Sequence, residues 1–155
     1  MARRARGVAY LSVMLALAII GLTAAHTVQL GAALSQHDAE EALLLVGLDF
    51  QIALQRYADA TPVGLPRAPQ RLEELLRDAR HPGVVRHLRS LPPDPMTGQA
   101  DWAVVRSPQG VIIGVHSRSV HTPQKLAGFH PQLAHLEGKR SSYSEWVFYG
   151  PPSTN

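Results

Sequence analysis

Between Val8 and Ala25 the chain reads VAYLSVMLALAIIGLTAA, and after Arg6 no charged residue occurs until Asp38. No other stretch constrains the fold as strongly. In a helix rising 1.5 Å per residue, about 20 apolar residues cross a hydrocarbon core roughly 30 Å thick. Val8 to Ala25, extended by the uncharged His26 to Leu34, meets that length. Ser12 and Thr23 are compatible with such a helix, because a hydroxyl bonds back to the carbonyls of its own preceding turn. Arg3, Arg4 and Arg6 precede the run, and the positive-inside bias keeps that end cytoplasmic. The sequence therefore predicts that the chain beyond about residue 34 lies outside the cytoplasm.

Three processing outcomes are consistent with this segment. One is a cleaved secretory signal, with Thr23-Ala24-Ala25 as a small-x-small site before His26. Another is an uncleaved anchor. The third is a short leader cut after Gly7, which leaves the apolar helix on the mature chain. A secretory signal has an apolar core of about 7–15 residues, set a little apart from its charges. Here Gly7 sits at the junction itself and the apolar run continues past Ala25, which favours the third outcome.

The remainder is enough for one modest domain: setting the anchor aside leaves ~120 residues. The chain has no cysteine, which excludes thiol catalysis, disulfides and thiolate-bound zinc. The net charge is only +3, and nothing forms the clustered basic face of a nucleic-acid binder. Arg77, Arg80, Arg86 and Arg89 do gather, but Glu73, Glu74 and Asp78 lie among them. They read as a solvated helix face, as do Glu40, Glu41 and Arg56.

No proline interrupts the chain from Val8 to Thr61. Leu43, Val46, Phe50 and Leu54 fall on one face at helical spacing. The sequence thus predicts a single helix of about 50 residues, 75–80 Å long, whose second half lays an apolar stripe on a head. Gly21, Gly31 and Gly47 would be its soft points. Pro62, Gly64, Pro66 and Pro69 end it. Gln70 to Arg80 reads as a short amphipathic helix, and Leu91 to Gly98 (LPPDPMTG) as consecutive turns. Trp102–Arg106 and Gly110–Val115 read as strands joined by a hairpin turn at Ser107–Gly110, residues 120–142 as irregular, and Glu145–Tyr149 as a last strand.

Taken together, the basic leader ending in Gly7, the long apolar helix, the LPPDPMTG turn, Trp102 and the segment Gly114-Val115-His116-Ser117-Arg118-Ser119 resemble the major pseudopilin of type II secretion systems, in the type IV pilin-like family. The resemblance implies an α+β, pilin-like fold: a long N-terminal helix, transmembrane in its first half, packed on a small antiparallel sheet. It divides the chain into a leader (1–7), a transmembrane and filament-core helix (8–34), a helical continuation on the head (35–61) and a periplasmic head (62–155). It implies cleavage after Gly7, methylation of Val8, and a non-catalytic role as a filament subunit held in the inner membrane of a Gram-negative envelope. The partners implied are other pseudopilins, a prepilin peptidase and an inner-membrane assembly platform. Asp94, Pro95, Gly98, Trp102, Gly114 and Ser117 would organise the head.

Two departures qualify the match. Relatives usually begin the mature chain with Phe and carry Glu fifth; here Val8 and Ser12 stand at those positions. The glutamate pairs with a neighbour's terminal ammonium, and an unpaired ammonium in hydrocarbon is costly. Ser12 therefore implies a divergent or minor subunit, or compensation by another subunit's acid. The second departure concerns calcium, which relatives hold in a C-terminal loop through aspartate oxygens. Calcium takes six to eight oxygen ligands, yet Val111 to Leu136 contains no Asp or Glu, only His116, His121, His130 and His135. No calcium site, and no other cofactor, is expected.

The four histidines lack the i, i+4 spacing of a helical metal pair and read as surface-loop residues, with transition-metal binding as the alternative. His87, Ser90 and Asp94 can be drawn as a hydrolytic triad, but no Gly-x-Ser-x-Gly elbow accompanies them. Asp94 more simply bonds the N–H groups of its own turn. Trp146 reads as a core residue or, on a terminal strand, as a partner contact. The competing functional reading is a periplasmic binding or adaptor domain on an N-terminal signal anchor, with no polymerisation.

Overall fold

Helix α1 spans Arg3–Asp59 in the computed structural model of the chain. The structure describes the backbone of residues 3–138 and 141–152, and the side chains of 10–18, 35–138 and 141–152. Contacts divide the chain into two units, Met1–Asp38 and Ala39–Asn155. The pilin-like expectation of a first half that crosses a membrane is corrected: among the described residues no helix is long and apolar enough to do so. The described apolar side chains run only from Tyr10 to Ala18, less than half of the roughly 20 residues a span requires. Beyond residue 34 the helix turns polar at Gln36, His37, Asp38, Glu40 and Glu41. The rest of the expected span, 8–9 and 19–34, lies outside the described side chains.

In the Met1–Asp38 unit, Tyr10, Leu11, Val13, Met14, Leu15 and Leu17 are all exposed. In the second unit, the part of α1 from Ala39 onward buries Glu40, Leu43, Leu44, Phe50, Leu54 and Tyr57, at the three- and four-residue steps of one helix face. Each fully buried large apolar side chain contributes about 1.5–3 kcal/mol. Leu45 and Ile52 point to solvent. Gly47 is a packing notch rather than a soft point: a Cβ there would stand 2.1 Å from the Phe148 ring. Only a bare Cα lets that aromatic lie against the helix.

The sheet has three antiparallel strands in sequential order: β1 (Ala103–Arg106), β2 (Ile112–His116) and β3 (Phe148–Tyr149). Ala103 faces His116 and Val104 faces Val115, with a register shift between Val105 and Arg106; Val115 then faces Phe148. The last strand is shorter than expected, because Tyr143–Glu145 forms a 3-10 turn that carries Trp146 into the core. Trp146 is completely buried, its ring edge-on to Tyr143 at 5.1 Å and to Phe129 at 5.3 Å, so it is a core residue. Residues 120–142, expected to be irregular, include a 3-10 helix at Pro131–Leu136 that buries Leu133 and Leu136.

The amphipathic helix expected over Gln70–Arg80 is also corrected. Only Leu72–Leu75 is helical, as one 3-10 turn. Beyond it the chain folds back, with Asp78 N–H donating to Val85 O at 2.9 Å and the N–H groups of His87 and Leu88 donating to Leu75 O. The side chains of Asp78 and Arg80 turn inward to polar partners, which outweighs the weak helix preference of so short a segment.

Candidate functional site

The turn that the sequence singles out is built around Asp94, which is fully buried. Its Oδ1 accepts from Met96 N–H at 2.9 Å, and its main-chain carbonyl accepts from Thr97 and Gly98. Pro95 denies the next position a donor, and Gly98 closes the turn at φ +72°, where a side chain would be strained. Ser117 at the end of β2 donates its hydroxyl to Asp94 Oδ2 at 2.6 Å and accepts from Ser119 N–H at 2.9 Å. Trp102 Nε1 donates to Pro92 O at 2.8 Å, and its ring stands edge-on to Phe50 of α1 at 5.0 Å. Asp94, Pro95, Gly98, Trp102 and Ser117 thus form one assembly. Gly114 serves a different contact: a Cβ there would stand 2.9 Å from Val147 Cγ1 and 3.1 Å from Phe148 O, so its bareness admits β3.

Of the expected processing and assembly residues, Gly7 and Val8 lie within α1, and their surroundings fall outside the described side chains. Ser12 is exposed on the same helix. His87, Ser90 and Asp94 do not form a triad. Asp94 is engaged as above, His87 Nε2 lies 3.1 Å from Asp78 Oδ2, and Ser90 is exposed.

A second buried carboxylate, Asp78, anchors a cluster at the end of α1. It accepts from Arg80 through Nε at 2.8 Å and a terminal nitrogen at 2.6 Å, and from Arg80 N–H. Arg80 is therefore no solvated surface residue. Its guanidinium lies 3.5 Å over the Tyr57 ring and donates to Thr61 Oγ1, to Pro66 O and, at 3.0 Å, to Tyr57 O. The last of these bonds joins the Thr61 hydroxyl, at 2.8 Å, on a carbonyl that the helix end leaves without a backbone donor. The guanidinium, assisted by the bond from His87, holds the Asp78 carboxyl well below the usual carboxylate range, and Asp78 in turn raises Arg80. Tyr57 donates its hydroxyl to Glu74 at 2.8 Å; burial, and then that bond, push the phenol above its ordinary range. His81 Nε2 lies 3.7 Å from Asp78 Oδ2, beyond hydrogen-bond reach, and is buried without a partner.

The third carboxylate is Glu40, only 1% exposed. Its Oε2 accepts from Gln124 N–H at 2.7 Å and from the Tyr143 hydroxyl at 2.7 Å, and its Oε1 from Lys125 N–H at 2.9 Å. Reading Glu40 as part of a solvated face is thus corrected. The sequence did hold a signal for it, because Glu40 precedes Leu43, Leu44 and Gly47 by three, four and seven positions and so shares their buried face.

Each of these carboxylates is engaged by protein donors, an arrangement suited to pinning segments together. Among the described residues no group of three His, Asp or Glu side chains is placed to hold a metal ion. An open groove runs along the connector, lined by Pro62, Val63, Leu65, Pro66 and Gln109, and none of the three carboxylates lines it. No family model matches the sequence, and no curated protein or solved structure is significantly similar to it.

Proposed function

We propose that the chain is a non-catalytic structural subunit of an envelope filament, pseudopilin-like in its role in protein export, processed after Gly7. The observation that carries this reading is the exposed stripe of Tyr10, Leu11, Val13, Met14, Leu15 and Leu17 close behind the basic leader. Large apolar side chains in that density call for an apolar cover, and the same stripe on neighbouring copies supplies one. Other pseudopilins are the partners, a prepilin peptidase removes residues 1–7, and an assembly platform at the inner membrane adds the subunit, with the head in the periplasm. The engagement of Glu40, Asp78 and Asp94 in internal bonds supports a scaffold rather than a reactive centre.

A periplasmic binding or adaptor head is the second reading, favoured by the open connector groove with exposed Val63 and Leu65. Intact mass and N-terminal sequencing of the protein purified from cell envelopes separate the two. A filament subunit begins at Val8 and is about 14 Da heavy from one methyl group, and Gly7→Ala leaves it unprocessed and impairs export. A start at Met1 or His26, with Gly7→Ala indistinguishable from the wild type, overturns the filament reading.

A further inference from the structure

The C-terminal loop is where the resemblance implies a divalent cation, and the atoms that meet there have the wrong polarity for one. A calcium cage turns carbonyl and carboxylate lone pairs inward. Here the Gln124 and Lys125 N–H groups and the Tyr143 hydroxyl converge on one point, and Glu40 occupies it. A cation placed among those donors would meet hydrogens, and both oxygens of the Glu40 carboxylate are already engaged. The residues do not fit the ion.

We propose that Glu40 does from within the chain what a bound cation would do from outside, ordering the C-terminal segment so that its structure depends on this carboxylate and not on divalent metal. The reach is long: Glu40 precedes Gln124 by 84 positions and Tyr143 by 103. The two segments it joins also support each other. Tyr143 N–H donates to His121 O and Ser144 N–H to Ser119 O, and the Tyr143 ring packs edge-on to Trp146. Replacing the carboxylate by an amide leaves one acceptor oxygen where two served three donors, and turns a side-chain N–H toward whichever donors the other oxygen held. A buried donor left without an acceptor bears its full desolvation cost, so the loop opens locally before the head unfolds.

Lys125 places a tryptic site inside the ordered loop. The test follows release of the fragment beginning at Leu126 from the full chain, by mass spectrometry, alongside thermal unfolding, in excess EDTA and in millimolar calcium chloride. Cleavage rate and midpoint should agree in the two solutions, the midpoint within about 1 °C. Glu40→Gln should accelerate the cut about tenfold, and Asp49→Asn, on the exposed face of the same helix, should leave it unchanged. Protection by calcium, a wild-type rate in Glu40→Gln, or equal acceleration in Asp49→Asn would each overturn the proposal. Should Glu40→Gln not accumulate, Tyr143→Phe, which removes a single donor, should quicken the cut about threefold; no change there overturns it equally.

Discussion

Asp94 and Asp78 are both buried to within 1%, yet they are solvated by opposite means. Asp94 sits in a tight turn and is satisfied by neutral donors, the N–H of Met96 and the hydroxyl of Ser117. Asp78 sits where the helix end, the connector and the fold-back at Val85 converge, and it is satisfied by the charge of Arg80 and by His87. A turn supplies its own peptide dipoles close at hand. A junction between distant segments cannot, and uses a cation whose long arm reaches several of them. One carboxylate thus shapes a single loop, and the other fastens several loops to a helix.

The contrast sets an order of mutational cost. Asp78→Ala should be the more damaging, because it leaves the Arg80 guanidinium half-buried and without its counter-charge. A loss of about 3–5 kcal/mol in urea unfolding is expected, and a loss below about 1 kcal/mol would mean that Arg80 finds water without penalty. Asp94→Ala should cost about 1–3 kcal/mol, and adding Ser117→Ala to it should cost little more, since that hydroxyl has already lost its acceptor. Equal losses for the two aspartates would erase the distinction.

Acid offers the gentlest probe. A carboxyl held below its unfolded value, near 3.9, contributes stability that is fully present above about pH 4 and is lost as pH falls further. The stability of the wild-type head should therefore decline on acidification below that point, and the decline should be shallower in Asp78→Ala. Parallel curves would show that Asp78 is not the group being titrated.

How much of this was legible in the sequence depended on how far apart the partners lie. The Asp94 turn is written in contiguous residues, three prolines, an Asx and a Gly, and the β1–β2 hairpin in two apolar runs around Ser107–Gly110. The Asp78–Arg80 cluster was hidden because QRLEELLRDAR has helical periodicity, and its fate is decided by Tyr57, Thr61 and His87, which local pattern does not reveal. Glu40 carries a charge that suggests solvent, yet its helical phase with Leu43, Leu44 and Gly47 places it on the buried face. Helix propensity makes Gly47 a weak point, but its role is set by Phe148, about a hundred residues on, whose ring needs a bare Cα there. The transmembrane expectation rested on apolar content between Val8 and Leu34, of which the described side chains support only Tyr10 to Ala18.

The bond from Arg80 to the Tyr57 carbonyl, across 23 positions, also bears on the order of events during synthesis. Chains leave the ribosome from the N-terminus and domains fold as units when enough sequence has emerged. The last turn of α1 emerges with its Tyr57 carbonyl held by the local bond from the Thr61 hydroxyl at 2.8 Å, with the Arg80 guanidinium not yet made and its Phe50 face awaiting Trp102. Thr61 gives the helix end a local cap and Arg80 adds a second from downstream, so truncation before Arg80 should leave the final turn more frayed than in the full chain even though every helical residue is present.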